Sequence, residues 1–150
     1  MMTMNDQSFT TAITVDQTPR NVFNAINNVR GWWSEEIEGE YEKQGDEFAY
    51  HYQNIHRCHI KVIEVVPDQK ITWLVLNNHF NFTKDSSEWK DTKIMFEISR
   101  SNNRTDLRFT HLGLVPAYEC YEICFDAWTN YITDSLQKLI TEGKGAPQAG

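Results

Sequence analysis

The stretch PAYECYEICFDAWTNYITDSLQKLITEGKG, residues 116–145, decides the fold. It opens on the helix-breaking Pro116 and has no further Pro or Gly before Gly143, leaving about seven turns of helix-compatible sequence. Tyr121, Cys124, Phe125, Trp128, Tyr131, Ile132, Ser135, Leu136 and Leu139 recur at steps of three and four, which predicts one buried helix face. Asp126, Asn130, Thr133, Asp134, Gln137 and Lys138 predict a wet face opposite. The buried face is aromatic in its first half and aliphatic in its second.

Before this helix the chain reads mostly as strands. Phe9, Thr11, Ile13 and Val15 alternate with polar or small residues and predict a first strand. Thr18-Pro19 then supplies a hydroxyl cap and a first-turn proline for a short helix carrying Val22, Phe23 and Ile26. VRGWWS, residues 29–34, predicts a second brief helix or turn. Glu38 to Glu42 reads as a polar edge strand, and Phe48, Tyr50 and Tyr52 share a face of the next. His59 to Val66 predicts a longer strand with Ile60, Val62 and Glu64 on one side. Ile71, Trp73 and Val75, then Ile94, Phe96 and Ile98, then Leu107, Phe109 and His111 complete the alternation. Asn77 to Asp91 breaks it, yet holds Phe80, Phe82 and Trp89. Such a loop either packs down on the body or acts as a lid.

Adjacent strands joined by short turns predict an antiparallel sheet, and the long helix is the element large enough to cover it. The fold class expected is α+β: a curved sheet of six or seven strands wrapped around the C-terminal helix, with two short helices after the first strand. Residues 1–150 read as a single domain with its core at about 8–145.

Composition narrows the function. A net charge of −7 with 14 scattered basic residues argues against nucleic acid, and no polybasic run supports membrane docking. No apolar run approaches the ~20 residues of a membrane span, and residues 1–8 lack a secretion signal. Asn81-Phe82-Thr83 matches a glycosylation acceptor, but without a secretory route it reads as chance. Three cysteines, an odd number, suit a reducing cytosol, so a cytoplasmic protein is expected. Cys120 and Cys124 read as packing residues, with a redox or metal pair as the sharper alternative. His56 and His59 would point to opposite faces of a strand and could not share a metal. The seven isolated glycines form no phosphate loop, and no Gly-x-Ser-x-Gly elbow is present. Neither metal nor cofactor is expected. Glu35, Glu36, Glu38, Glu40 and Glu42 read as a solvated edge rather than a site for a basic partner.

The order strand, two short helices, strands and one long helix resembles helix-grip domains. These form the START-like (SRPBCC) superfamily, which includes birch-pollen-allergen-like proteins and polyketide cyclases. Within it the chain is similar to the branch named for the activator of the ninety-kilodalton heat-shock chaperone's ATPase. The resemblance rests on Thr18-Pro19-Arg20-Asn21-Val22-Phe23 with Ala25, Gly31-Trp32-Trp33-Ser34, Val62 to Pro67, and Ile71-Thr72-Trp73. It continues through Trp89, Thr92, Ile94 and Phe96, Leu107 to Leu114, and Trp128, Tyr131, Ser135-Leu136, Leu139 and Gly143. It implies a cavity between sheet and helix that holds an apolar or amphipathic small molecule. The extra N-terminal domain of eukaryotic chaperone activators has no counterpart in these residues, which argues against a chaperone-activating role.

Tyr50, Tyr52, Trp73, Phe96 and Phe109 are expected to face the helix from the sheet, and Tyr121, Phe125 and Trp128 to face back. With Trp32, Trp33 and His111 they are the candidate lining of a hydrophobic ligand site. If these rings interdigitate, they make a solid core instead. A binding protein for a small hydrophobic ligand is the leading expectation, with no catalytic residue assigned. A cyclase- or hydratase-like enzyme would use His111 as acid–base, oriented by Glu119 or Glu122. A protein-interaction module, with a chaperone as partner, is the third reading. A homodimer is compatible with all three.

Overall fold

The computed structural model describes residues 8–147. In it β1 (Phe9–Val15) leads into α1 (Pro19–Asn27) and α2 (Val29–Trp32). Six strands follow: β2 (Ile37–Gly39), β3 (Glu47–Tyr52), β4 (His56–Val66), β5 (Lys70–Phe80), β6 (Lys93–Ser101) and β7 (Arg104–Leu112). The C-terminal helix runs as α3 (Tyr121–Asn130), a π-helical stretch (Tyr131–Leu136) and α4 (Gln137–Glu142). The strands form one antiparallel, curved sheet in the order β1-β7-β6-β5-β4-β3-β2. This is the α+β helix-grip architecture.

Local chemistry sets the element ends. The Thr18 hydroxyl accepts the Asn21 N–H at 3.1 Å, and Pro19 occupies the first turn of α1. Arg20 forks onto Asp68 at 2.6 and 3.0 Å, fastening α1 to the β4–β5 turn. Asn102 and Asn103, with φ of 51° and 70°, make the two-residue β6–β7 turn. Gly143 closes the long helix at φ 83°.

Two bulges correct the simple alternation. Val62 pairs with Trp73 but Glu64 pairs with Thr72, so Ile63 is an extra residue. The shift puts Glu64 on the outer face, where it accepts the Thr72 hydroxyl at 3.2 Å, rather than beside Ile60 and Val62. On β5, Ile60 pairs with Val75 and His59 with Asn77, so Leu76 is the extra residue. The strand therefore continues through Phe80, with Asn78 and Phe80 buried and Asn77 and His79 exposed. The sequence pattern breaks at Asn77 because of this bulge, not because the strand ends. β2 is also shorter and earlier than expected: Ile37 is buried, and the chain leaves the sheet at Gly39, φ 113°.

The long helix buries Cys124, Trp128, Ile132, Leu136 and Ile140, a strict step of four, with Ser135 beside them. Each such step overshoots a 3.6-residue turn by about 40°. The wider i→i+5 turn of the π stretch takes up that overshoot and keeps the stripe on the sheet. The mixed three-and-four stripe is corrected accordingly: Phe125 is 42% exposed, and Tyr121 and Leu139 are half-buried.

One end of the sheet–helix space is filled with rings. Trp32 and Trp33 both stack on Trp73, at 6.4 and 5.9 Å between centroids. Phe96 meets Trp73 edge-on at 4.9 Å, and Phe109 meets Trp128 at 4.7 Å. Ser135 donates to the Trp32 carbonyl at 2.7 Å and accepts the Ala146 N–H at 2.9 Å, so the segment after the helix folds back onto α2.

Candidate functional site

The opposite end of the same space is not filled. A hollow of about 170 Å³ lies between the tips of β3, β4 and β5, the loop after β5, and the first turns of the long helix. Trp33, Phe80, Trp89 and Trp128 give it aromatic walls, and Ile55, Phe82, Ile123 and Ala127 surround them. Phe82 and Ile123 are 39% and 59% exposed, so they belong to its mouth. Packed rings and an open hollow thus occupy opposite ends of the same space.

The bulge at Leu76 and the early start of β4 shape this end. They bring Tyr52, His56 and Phe80 into one cross-strand row on the inner face, with Tyr50, Cys58 and Asn78 in the next. The hydroxyls of Tyr50 and Tyr131 share a hydrogen bond. Burial, then the neighbouring Tyr131, pushes the Tyr50 phenol well up, and burial pushes Tyr131 up as well. Both remain neutral hydroxyls at physiological pH.

His56 supplies the other polar group of the wall. Asn78 donates through Nδ2 to the Ser86 carbonyl, which leaves Oδ1 to accept from His56 Nε2 at 2.7 Å. Nδ1 is then the unprotonated nitrogen. Burial lowers the His56 pKa to about 4, against the opposing pull of Asn78, so the ring is neutral.

His111 is not in this wall. It is fully buried behind Trp89 and Trp128. Trp128 Nε1 donates to its Nδ1 at 3.0 Å, and because an indole nitrogen can only donate, the proton of His111 sits on Nε2. That proton goes to Thr92 Oγ1 at 2.8 Å, and Thr92 donates onward to the Trp89 carbonyl. Burial lowers its pKa to about 3. The expected acids are elsewhere: Glu119 accepts the Lys84 N–H, and Glu122 is exposed. A buried neutral imidazole with both nitrogens committed has no free proton or lone pair for acid–base work.

The loop after β5 is tied to the helix start. Glu88 accepts the N–H groups of Glu119 and Cys120 at 2.8 and 3.1 Å, capping a helix whose own N-cap residue, Cys120, provides no side-chain bond. The loop packs on the body through these bonds and through Trp89, stacked on Trp128 at 5.6 Å. Cys120 and Cys124 are free and buried. The hydrogen bond to Cys124 and burial push the Cys120 thiol up.

Of the expected lining residues, the structure brings Trp33, Tyr50, Tyr52 and Trp128 to the hollow. Trp32, Trp73, Phe96 and Phe109 lie in the filled half, and His111 lies behind the wall. Phe125 points away and packs edge-on against Phe9 at 5.0 Å, while half-buried Tyr121 rests beside Phe125. His56, Phe80, Trp89 and Tyr131 were not anticipated. The last was legible in the helix stripe, whereas the first three depended on the bulge and the loop's path.

A family model described as "Activator of Hsp90 ATPase homolog 1-like protein" matches residues 16–141. The chain belongs to this family. Among solved structures, the Aha1 dimer from Colwellia psychrerythraea superposes with a TM-score of 0.72 at 20% identity, covering 92% of this chain and 98% of that one. Protein MLL2253 from Mesorhizobium loti superposes at 0.67 with 13% identity, covering 92% and 100%. DynU16, from the dynemicin biosynthetic locus, superposes at 0.66 with 13% identity, covering 93% of this chain and 49% of that one. At these identities the likeness is one of fold. No curated protein matches. No helix among the described residues is long and apolar enough to cross a membrane, and no cluster of three or more metal-ligating side chains occurs among them.

Proposed function

We propose that this member of the Activator of Hsp90 ATPase homolog 1-like family binds a single-ring aromatic molecule carrying one hydrogen-bonding group. The observation that carries this reading is the hollow of about 170 Å³ walled by Trp33, Phe80, Trp89 and Trp128 beside the Tyr50–Tyr131 hydroxyl pair. A dry cavity of roughly 150 Å³ accommodates benzene, while multi-ring ligands take pockets of about 300–1,000 Å³. Size therefore favours one ring over a polyketide or lipid. The aromatic walls supply stacking area, and the phenol pair and the bare nitrogen of His56 supply orientation.

The test is a thermal-shift and protein NMR titration with phenol, benzoate, catechol, indole and toluene. Saturable shifts at the Trp33, Trp89 and Trp128 indoles are expected, with a rise in melting temperature that grows with concentration. An Ala127→Phe variant, which fills the hollow from the helix side, is expected to abolish both. Shifts that persist in that variant, or none with any ring, would sink the reading. By analogy with the Colwellia protein, solved as a dimer, we further propose a homodimer, which light scattering of the purified chain would decide.

A further inference from the structure

The outer face of the same three strands carries a row of nitrogen donors. His51 pairs with Arg57 across β3 and β4, and Arg57 pairs with His79 across β4 and β5. Directly opposed Cβ atoms stand about 4.5–5.5 Å apart, so three side chains from three strands share one small patch. In the next row Ala49 pairs with His59 and His59 with Asn77. The short side chain of Ala49 leaves a dip among longer neighbours, and the result is a groove of about 360 Å³. It is larger than the hollow and separated from it by the sheet.

Charge within the groove is unevenly satisfied. Glu47 is engaged by His59 at 2.7 Å, and Glu36 lies 3.9 Å from His51. Arg57 is exposed and has no ion pair or hydrogen bond among the described residues. A guanidinium fork matches the two oxygens of a carboxylate or phosphate, and imidazoles on either side can add further donors. We propose that the Arg57 row is a binding site for a small oxyanion, held by Arg57 and flanked by His51 and His79. Glu38, at the β2 side of the groove, bounds the site and disfavours large polyanions.

The groups facing the row are Glu38 and the preceding Glu36, Glu47 and His51 on β3, His59 and Lys61 on β4, and Asn77 on β5. His56 lies behind it on the inner face. The glutamates oppose a bound anion and restrict the site to a small one.

The experiment is an NMR titration of the full chain with inorganic phosphate, and separately with acetate, at pH 7.0 and constant ionic strength. Saturable shifts confined to residues 49–51, 57–59 and 77–79 are expected. Arg57→Gln, an exposed substitution, is expected to leave the spectrum folded and to remove saturation. Tighter binding of phosphate than acetate identifies a phosphorylated ligand, and the reverse a carboxylate. Linear shifts spread over all basic residues, or saturation unchanged in Arg57→Gln, would overturn the proposal. Ala127→Phe serves as the control, because filling the inner hollow leaves the outer groove intact.

Discussion

The indole N–H of Trp128 donates to Nδ1 of His111 at 3.0 Å, so the long helix is held to the last strand by a bond that requires a neutral imidazole. Protonating that nitrogen would break the bond and place a charge where no solvent reaches.

Acid should therefore weaken the fold in a defined window. Burial depresses the pKa to about 3 for His111 and about 4 for His56, whereas an unfolded histidine titrates near 6.5. Their contribution is fully present above about pH 6.5 and is lost as pH falls toward the folded values. Each ring adds a slope of about 1.4 kcal/mol per pH unit within that window. Urea unfolding at pH 7, 6 and 5 should show falling stability, with neither ring's NMR signals titrating in the folded protein. Titration of either near pH 6.5 would contradict the buried neutral assignment.

Glu88 bridges the loop and the helix start. Replacing it with Ala leaves the N–H groups of Glu119 and Cys120 without their acceptor. The expected cost is about 1–3 kcal/mol, together with faster amide exchange across residues 81–92. Exchange that stays slow throughout the loop would show that Trp89 stacking alone holds it.

Gly145 lies where no side chain fits. A Cβ there would meet the Gly31 carbonyl and, at 2.8 Å, the Ser135 carbonyl, both backbone oxygens that cannot swing aside. Gly145→Ala should cost about 1–3 kcal/mol by displacing the segment that bonds Ser135 through Ala146. A Gly143→Ala variant is the useful contrast. It meets no neighbour and suffers only from its φ of 83°. A melting temperature unchanged in Gly145→Ala would mean that the segment does not contribute to the fold.

The phenol pair predicts a selective loss. Tyr50→Phe should weaken phenol binding by about three- to tenfold, the worth of one hydrogen bond, while leaving toluene unaffected. Equal loss for both ligands would assign Tyr50 a packing role only.

Much of the fold was legible because each local rule reads a single element. The Thr18-Pro19 cap and the alternation of Phe48, Tyr50 and Tyr52 both appear where the sequence puts them. The errors cluster where an inserted residue changes phase. Ile63 and Leu76 flip the strands around them, and the π stretch rephases the helix, moving Phe125 outward. A bulge is set by the pairing partner across the sheet, which periodicity along one strand does not contain.

By itself the sequence determined the class of fold, its element order and its wealth of inward rings, since these follow from pattern and propensity. Only the tertiary structure decided which rings meet. Trp32, Trp73, Phe96 and Phe109 fill one half of the space, while Phe80 and Trp89 arrive through a bulge and a capped loop to wall the other. The division between solid core and hollow depends on side chains distant in sequence packing to a common density, and no local pattern encodes that.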